Sequence, residues 1–320
     1  MPKKSVLGPI PSDLFGTFIA VNPMAMDKVS GKLCNLNCIY CDMGETKVSS
    51  LDCQKAVRQI EPIVEEVKAR VRKAWFPIDS LVIIGEGEAT LLNGLDDLMF
   101  ELKKIGPPVS VLTNGTRLNK ANVRQWLTMA DKIVLTLDVV DPVSYRRICR
   151  PLTDDVPCGQ ALLDSISEFN AGFRGDLCLL TVFLAKLNDH PDHLEGLQKA
   201  VEHIKPSGLH LTTVRRTAFN STVRPVSEAF LKKAEKMLDK AVAPEQPYPL
   251  VSFKPKVTKK DGVLEAIAEF IHSRPASFAD IADAFWLQES DLSEYLDCLM
   301  AERRIDCKGL HHGSYYTRMI

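Results

Sequence analysis

The sequence predicts an α/β fold built on a parallel sheet, followed by a smaller helical unit. From about residue 80 onward, short β-branched or apolar runs alternate with longer segments of helical period, the mark of repeated βα units. The chain, at 320 residues, is longer than one hydrophobic core usually serves. A proline-rich stretch also divides the alternating region from a short C-terminal tract. With 45% hydrophobic and 25% charged residues, the composition excludes a disordered or fibrous chain.

Six strands are expected, at Phe15 to Val21, Leu81 to Ile84, Val109 to Thr113, Ile133 to Leu137, Leu177 to Leu184 and Leu209 to Val214. Between them, apolar residues recur at spacings of three and four, as in Val57, Ile60, Val64, Val67 and Val71, or Leu194, Leu197, Val201 and Ile204. Such spacing gives each helix one buried face. Asn119, Asp141 followed by Pro142, and Ser227 with Glu228 read as helix starts, the last opening a helix that ends near Val242. Right-handed crossovers between the strands would produce either an open barrel or a doubly wound sheet, and periodicity alone does not choose.

Prolines at 244, 247, 249 and 255, with Lys256, Lys259 and Lys260, make residues 244–260 an expected linker. It separates a core domain, 1–243, from a C-terminal domain, 261–320. Helices at Val263 to His272, Phe278 to Phe285 and Ser290 to Arg303, then strands at Arg304 to Cys307 and Ser314 to Thr317, have the layout of a winged helix-turn-helix.

Charge restricts the partners. Forty Lys and Arg against 41 Asp and Glu leave a net charge of −1, with no global field to draw in nucleic acid or anionic lipid. Residues 261–320 hold eleven Asp and Glu against five Lys and Arg, and the helix that would enter a major groove carries Asp291, Glu294, Asp297 and Glu302. Phosphate repulsion makes duplex DNA an unfavourable partner. A protein-interaction or substrate-presenting role, or simple packing on the core domain, is expected instead. The apolar runs, such as Leu81 to Ile84 and Cys178 to Ala185 interrupted by Thr181, are far too short for a membrane helix. Lys3 and Lys4 are followed by Gly8, Pro9 and Pro11 in place of a signal-peptide core, so a cytoplasmic location is expected.

Of nine cysteines, Cys34, Cys38 and Cys41 stand as C-N-L-N-C-I-Y-C. Three thiolates on spacers this short can converge on one corner of a metal cluster. Zinc is the rival ligand, but a structural zinc site closes with four ligands, and the first histidine is the distant His190. Three ligands on a cubane of four irons leave one iron open for substrate. The remaining six, Cys53, Cys149, Cys158, Cys178, Cys298 and Cys307, lack tight spacing and read as core or surface thiols, with Cys149 and Cys158 the pair worth testing.

The C-x3-C-x-aromatic-C motif, with Tyr40 as the aromatic, resembles the signature of the radical S-adenosylmethionine (radical SAM) superfamily. The resemblance implies a partial (β/α)6 TIM-like barrel, a 4Fe-4S cluster on the three cysteines, and SAM as the second cofactor. Gly85-Glu86-Gly87-Glu88 is similar to the family's glycine-glutamate loop, in which backbone and carboxylate hold the SAM amino group; Ala89 replaces the usual proline. Glycines permit close backbone approach, and Glu88 can accept a hydrogen bond from an ammonium. Thr113-Asn114-Gly115 and Thr136-Leu137-Asp138 end the third and fourth of these strands, where barrel proteins place their ligands. The resemblance implies that Tyr40, Gly85, Gly87 and Glu88, with Asn114, Thr136 and Asp138, line the SAM site.

A narrower resemblance, to small radical SAM proteins distantly related to the tRNA wyosine synthases, rests on Val21-Asn22-Pro23, on Ser144 to Pro151, on Arg216 and on the terminal module. The chain departs from the synthases in having no cysteine before Cys34. It departs from the small proteins at Thr217, Ala218 and Asn220. The family's reaction is reductive cleavage of SAM to a 5′-deoxyadenosyl radical, here acting on a tRNA base or a protein or peptide side chain. A flavodoxin- or ferredoxin-type electron donor is the implied partner. The alternative class is a regulator that senses the cluster or SAM, with the winged module as its output.

Overall fold

The computed structural model describes residues 5–12, 14–24, 32–46, 59–74, 77–214, 222–238, 260–273, 276–285, 287–310 and 313–319. One seven-stranded sheet carries the first two thirds of the chain. Its strands are β1 (Val6–Ser12), β2 (Gly16–Val21), β3 (Ser80–Ile83), β4 (Val109–Thr113), β5 (Lys132–Thr136), β6 (Asp176–Phe183) and β7 (Gly208–Thr213). They pair in chain order, β1 antiparallel to β2 and every later pair parallel. A doubly wound sheet reverses direction at a switch point, whereas this order runs one way only, as in a barrel wall. No pairing between β7 and β1 closes the sheet among the described residues.

The six parallel strands lie within one or two residues of the expected ranges. Their alternation explains the two apolar layers. Leu81 and Ile83, Val111, Ile133 and Leu135, and Leu177 and Leu179 face the core shared with the helices. Val82, Val134 and Cys178, with Phe15 and flanking Leu112 and Leu180, form a second layer on the opposite face. A period of two that is apolar on both faces is what a buried parallel sheet requires. The covering helices are α1 (Ile60–Lys73), α2 (Leu95–Lys103), α3 (Ala121–Leu127), α4 (Pro142–Ile148), α5 (Gln160–Gly172), α6 (Pro191–Ile204) and α7 (Glu228–Leu238).

Asp141 caps α4 through its carboxylate, which accepts from Ser144 N at 2.7 Å, and Ser227 accepts from Phe230 N at 3.2 Å. Asn119 is not the cap expected of it: α3 starts one residue later, with Lys120 at the cap position and no side-chain bond. The sequence reading also missed β1. Pro9 and Pro11 supply no N–H to a ladder, and only an edge strand tolerates them. The pairing with β2 is irregular between Leu7 and Ile10.

The C-terminal unit comprises α8 (Lys260–Ser273), β8 (Ala276–Ser277), α9 (Phe278–Phe285), α10 (Glu289–Ala301), β9 (Ile305–Leu310) and β10 (Gly313–Arg318). Its strands form an antiparallel sheet in the order β8-β10-β9, one strand more than expected. The expected linker, apart from Lys260, lies outside the described residues, as do the end of α7 near Val242, Cys53, and Arg216 with Thr217, Ala218 and Asn220.

This second core is not self-contained. Ile10 of β1 is buried with Val263, Ile267, Ile271, Leu292 and Leu296. Arg70 of α1 donates to both oxygens of Glu269 on α8, at 2.6 and 3.1 Å, and to Gly8 O at 2.7 Å. The Glu269 side chain is only 8% exposed, so this fork is shielded from solvent, unlike the surface pair of Arg304 with Glu265. Breaking one partner of a shielded, bidentate pair strands the other charge. Glu269→Gln is expected to lower unfolding stability by about 2 kcal/mol, against less than about 1 for Glu265→Gln. Urea titrations of both variants check this, and equal losses would place the fork among ordinary surface pairs.

A second buried titrating group lies in the first turn of α6. His193 stacks edge-on against Phe183, hydrogen-bonds the backbone of Asp138, and faces His190 and Asp141. Burial first, then the neighbouring His190, push its pKa down to about 4, partly offset by Asp141. The unfolded chain therefore binds the proton first, and stability is lost as pH falls from about 6.5 toward 4. Between pH 7 and 5 the linkage amounts to about 2 kcal/mol. His193→Leu should show that much less pH dependence over the same interval in urea titrations.

Candidate cluster and cofactor site

Every parallel strand ends at the same edge of the sheet, and the cysteine loop, residues 32–46, lies across it. Leu33 pairs with Gly87 in a parallel bridge: Leu33 N donates to Glu86 O at 3.0 Å, and Glu88 N donates to Leu33 O at 2.8 Å. Gly87 has φ of 150°, and a Cβ there would stand 1.5 Å from the Leu33 carbonyl oxygen. Only glycine fits so close a backbone approach. Gly85 is constrained too, since a Cβ would meet Met24 Sδ at 2.6 Å.

Glu88 is 2% exposed and ties three segments together. Its Oε1 accepts from Thr90 N, Thr90 Oγ1 and Thr113 Oγ1 at 3.0, 2.7 and 2.6 Å, and Oε2 accepts from Asn114 N at 2.7 Å. Oε2, with one donor, retains capacity for a second. The bond to Thr90 N caps the 3-10 turn that Ala89 opens, giving the loop the stiffness that proline would otherwise provide. Asn114 in turn donates from Nδ2 to Asn35 Oδ1 at 3.0 Å, and Asn35 donates to Thr116 Oγ1 at 2.7 Å. The end of β4 thereby holds the residue beside Cys34.

The far side of the loop is fastened to β5. The Tyr40 hydroxyl donates a short hydrogen bond to Asp138 Oδ2, while Asp138 Oδ1 accepts from Val182 N at 2.9 Å. Burial raises the Asp138 carboxyl to about 6, with both hydrogen bonds opposing the shift. Asn188 supports this corner by donating to the Asp138 carbonyl at 2.9 Å. Thr136 is half-buried at the end of β5, two residues before this anchor.

Lys32, 2% exposed, lies within electrostatic reach of all three thiols. Burial lowers the affinity of its amine for a proton, but the charges on Cys41, Cys34 and Cys38 outweigh this and raise its pKa, with a hydrogen bond to Cys41 adding to the effect. Burial pushes the Cys34 thiol up, as does the charge on Cys38, against the opposing pull of Lys32. Cys38 is shifted down, first by a hydrogen bond from the Cys149 thiol and then by Lys32, against burial.

The structure thus brings all of the sequence-predicted residues to one edge. Sequence reasoning missed Lys32 and Asn35, and it set Cys149 beside Cys158 where the structure sets it beside Cys38, 111 positions away. The partner of Cys149 is Cys38, while Cys178 is buried in the sheet and Cys298 and Cys307 are exposed, as core and surface thiols. Two residues before the first cysteine, Lys32 gave no periodic signal, and a second lysine, Lys28, precedes it in the same approach.

Gly87→Ala is expected to detach the cysteine loop from the sheet, because the obstructing atom is backbone and cannot swing aside. A melting temperature lower by several degrees, with increased amide exchange at Leu33 and Glu88, is the expected result. Gly172→Ala, in open space at the end of α5, should leave both unchanged.

Residues 29–191 match the family model of the Radical SAM superfamily. The chain is 29% identical over 306 residues to a protein of Brachyspira hyodysenteriae named GTPase Obg, covering 94% of this chain and 43% of that one. It is 27% identical over 213 residues to a UPF0026 protein of Helicobacter pylori, covering 66% of each. The chain therefore spans less than half of the first relative and about two thirds of the second. Among solved structures, TYW1 with a lysine-pyruvate adduct bound shares the fold, with a TM-score of 0.52 and 19% identity over 71% of this chain and 75% of that chain. The family match takes in half of the sequence, from just before the cysteine loop to the start of α6, and the chain belongs to the radical SAM superfamily, whose enzymes use a 4Fe-4S cluster and SAM.

Proposed function

We propose that this chain is a radical SAM enzyme in which Cys34, Cys38 and Cys41 ligate the cluster and the strand ends hold SAM. The observation that carries the reading is the gathering of three thiols within electrostatic reach of one buried ammonium, on a loop laid over the carboxyl edge of the sheet. As cluster ligands the three cysteines would be thiolates, the anions that a buried lysine needs. Among the described residues no three His, Cys, Asp or Glu side chains close tightly enough to hold a single ion. Three cysteine ligands leave one iron of a four-iron cluster open, whereas a structural zinc site closes with four.

Bound together, the cluster and SAM would supply a reductive cleavage that yields a 5′-deoxyadenosyl radical. The chain's own residues position and shield. Glu88 Oε2 has capacity for an ammonium donor, and the Tyr40 to Asp138 bond holds the loop at a fixed height above β5. Thr136 and Asn114 present polar groups toward the same edge. A flavodoxin- or ferredoxin-type protein is the proposed electron donor.

The C-terminal unit, with helix, strand, two helices and two strands in that order, reads as a winged helix-turn-helix. Residues 244–260 would link it to a core domain of residues 1–243. Asp291, Glu294 and Asp297 are exposed along α10, which opposes docking to phosphate. Of the two substrate classes, a protein or peptide side chain fits this acidic face better than a tRNA base.

Anaerobic reconstitution with iron and sulfide should load about four irons per chain and give broad visible absorption. Dithionite should then convert SAM to 5′-deoxyadenosine and methionine. Replacing Cys34, Cys38 and Cys41 together by Ala should abolish both, while Cys298→Ala should alter neither. A triple variant that kept its iron and its SAM cleavage would overturn the assignment.

A further inference from the structure

We infer that Cys149 is a resolving thiol, which captures Cys38 in a reversible disulfide when oxidation destroys the cluster. The consequence for cluster reloading rests on the reading of Cys38 as a ligand; the disulfide itself does not.

The register carries the inference. Leu36 and Pro151 form an antiparallel bridge. Around it, Leu152 N donates to Asn35 O at 3.1 Å, Asn37 N to Arg150 O at 2.9 Å, and Ile39 N to Ile148 O at 3.0 Å. Asn37 N also donates to Cys149 O at 3.1 Å, so the residues on either side of Cys38 are both bonded to the backbone of the segment that carries Cys149. Cys149 is the helical residue that closes α4 and Arg150 has a positive φ of 50°, so the two segments meet at a helix end. The backbone bonds at Asn37 and Ile39 thus hold Cys38 against the end of α4 that carries Cys149, the proximity that a disulfide needs. The thiols are already hydrogen-bonded to each other.

Neither other member of the triplet has such a partner. Leu36 N and Asn114 Nδ2 approach the Cys34 sulfur, and Cys41 bonds to Lys32. Access also differs within the pair. Cys149 is 3% exposed, whereas Cys38 is partly open to solvent.

Once iron has been lost, a peroxide reaches Cys38 first. The thiol sulfur attacks the O–O bond, giving a sulfenic acid at Cys38 and one water from hydrogen peroxide. Cys149 Sγ then attacks the Cys38 sulfur, the S–O bond breaks, and the hydroxyl leaves as a second water with the Cys149 proton. Two thiols are oxidised by two electrons and one peroxide is reduced. Without Cys149 the sulfenic acid remains exposed to a second peroxide and proceeds to the sulfinic acid, which dithiothreitol does not reduce.

The test uses the full chain, loaded anaerobically and bleached with hydrogen peroxide, then alkylated and digested with trypsin. Cys38 lies in the peptide 33–47 and Cys149 in 148–174, since the Arg150-Pro151 bond resists cleavage. A cross-link between these peptides is expected in wild type and Cys158→Ser and absent in Cys149→Ser. After dithiothreitol, with iron and sulfide restored, wild type should regain its visible absorption, and Cys149→Ser several-fold less, with Cys38 found as sulfinic acid. A bridge confined to 33–47, or one that persists in Cys149→Ser, overturns the inference, as does equal recovery of iron. Cys149→Ala replaces the serine variant if a thermal melt shows that serine disturbs the fold. If the chain loads no iron at all, the ligand assignment fails, and peroxide treatment of the iron-free chain still decides the disulfide by the same peptides.

Discussion

The close approach of Leu33 to Gly87 is the constraint on which the site depends. Without it the cysteine loop would lose its backbone tie to the end of β3, because its other backbone bonds run to the end of α4 and its other ties to the strand ends are side-chain bonds. With it, Glu88 is fixed one residue beyond the bridge, and its carboxylate gathers Thr90, Thr113 and Asn114 into one corner. Asn114 then reaches Asn35, and the loop is held from both ends of the same short path. A buried carboxylate is expensive unless its lone pairs are filled, and four donors fill most of them here. The cluster of polar groups is therefore rigid before any cofactor enters.

Charge is arranged to complement this rigidity. Lys32 sits buried within electrostatic reach of the thiols on one side of the loop, and Asp138 sits buried beneath Tyr40 on the other. Burial alone would lower the proton affinity of this ammonium, and the nearby thiols reverse that direction. Burial carries the Asp138 carboxyl up to about 6 against the hydrogen bonds from Tyr40 and Val182. One loop thus joins an electropositive corner, suited to an anionic thiolate cluster, to a carboxyl that is readily neutralised. The asymmetry follows from which residues face the loop and not from net charge, which is near zero.

Much of this was legible in the sequence, for reasons that differ by element. The six parallel strands were readable because burial on both faces leaves continuous apolar runs, and the triplet because its three residues are adjacent in the chain. β1 was not, since edge strands tolerate the prolines that argue against a strand elsewhere. The partner of Cys149 escaped for a different reason. That partner, Cys38, comes from a pairing between the cysteine loop and the end of α4, which no local spacing encodes. The open choice between barrel and doubly wound sheet likewise depended on strand order, a long-range property. Asn119 misled because a good capping residue beside a helix start need not be the cap itself.

β1 also gives the C-terminal unit a physical purpose that is independent of its resemblance to DNA-binding modules. An unclosed parallel sheet leaves an edge strand with unpaired backbone groups, and such edges invite association unless covered. Here α8 and α9 pack on β1, and Ile10 enters their core. The Arg70 fork then fixes the register of that contact by bonding Gly8 on the strand and Glu269 on the helix at once. Prolines blunt the edge from within and the helices cover it from outside. An acidic exposed face on α10 is compatible with this duty, since packing uses the apolar residues Leu292, Leu296 and Leu299 on the opposite side. The unit therefore completes the core domain structurally, and whatever it presents to a partner is presented from a position fixed relative to the sheet.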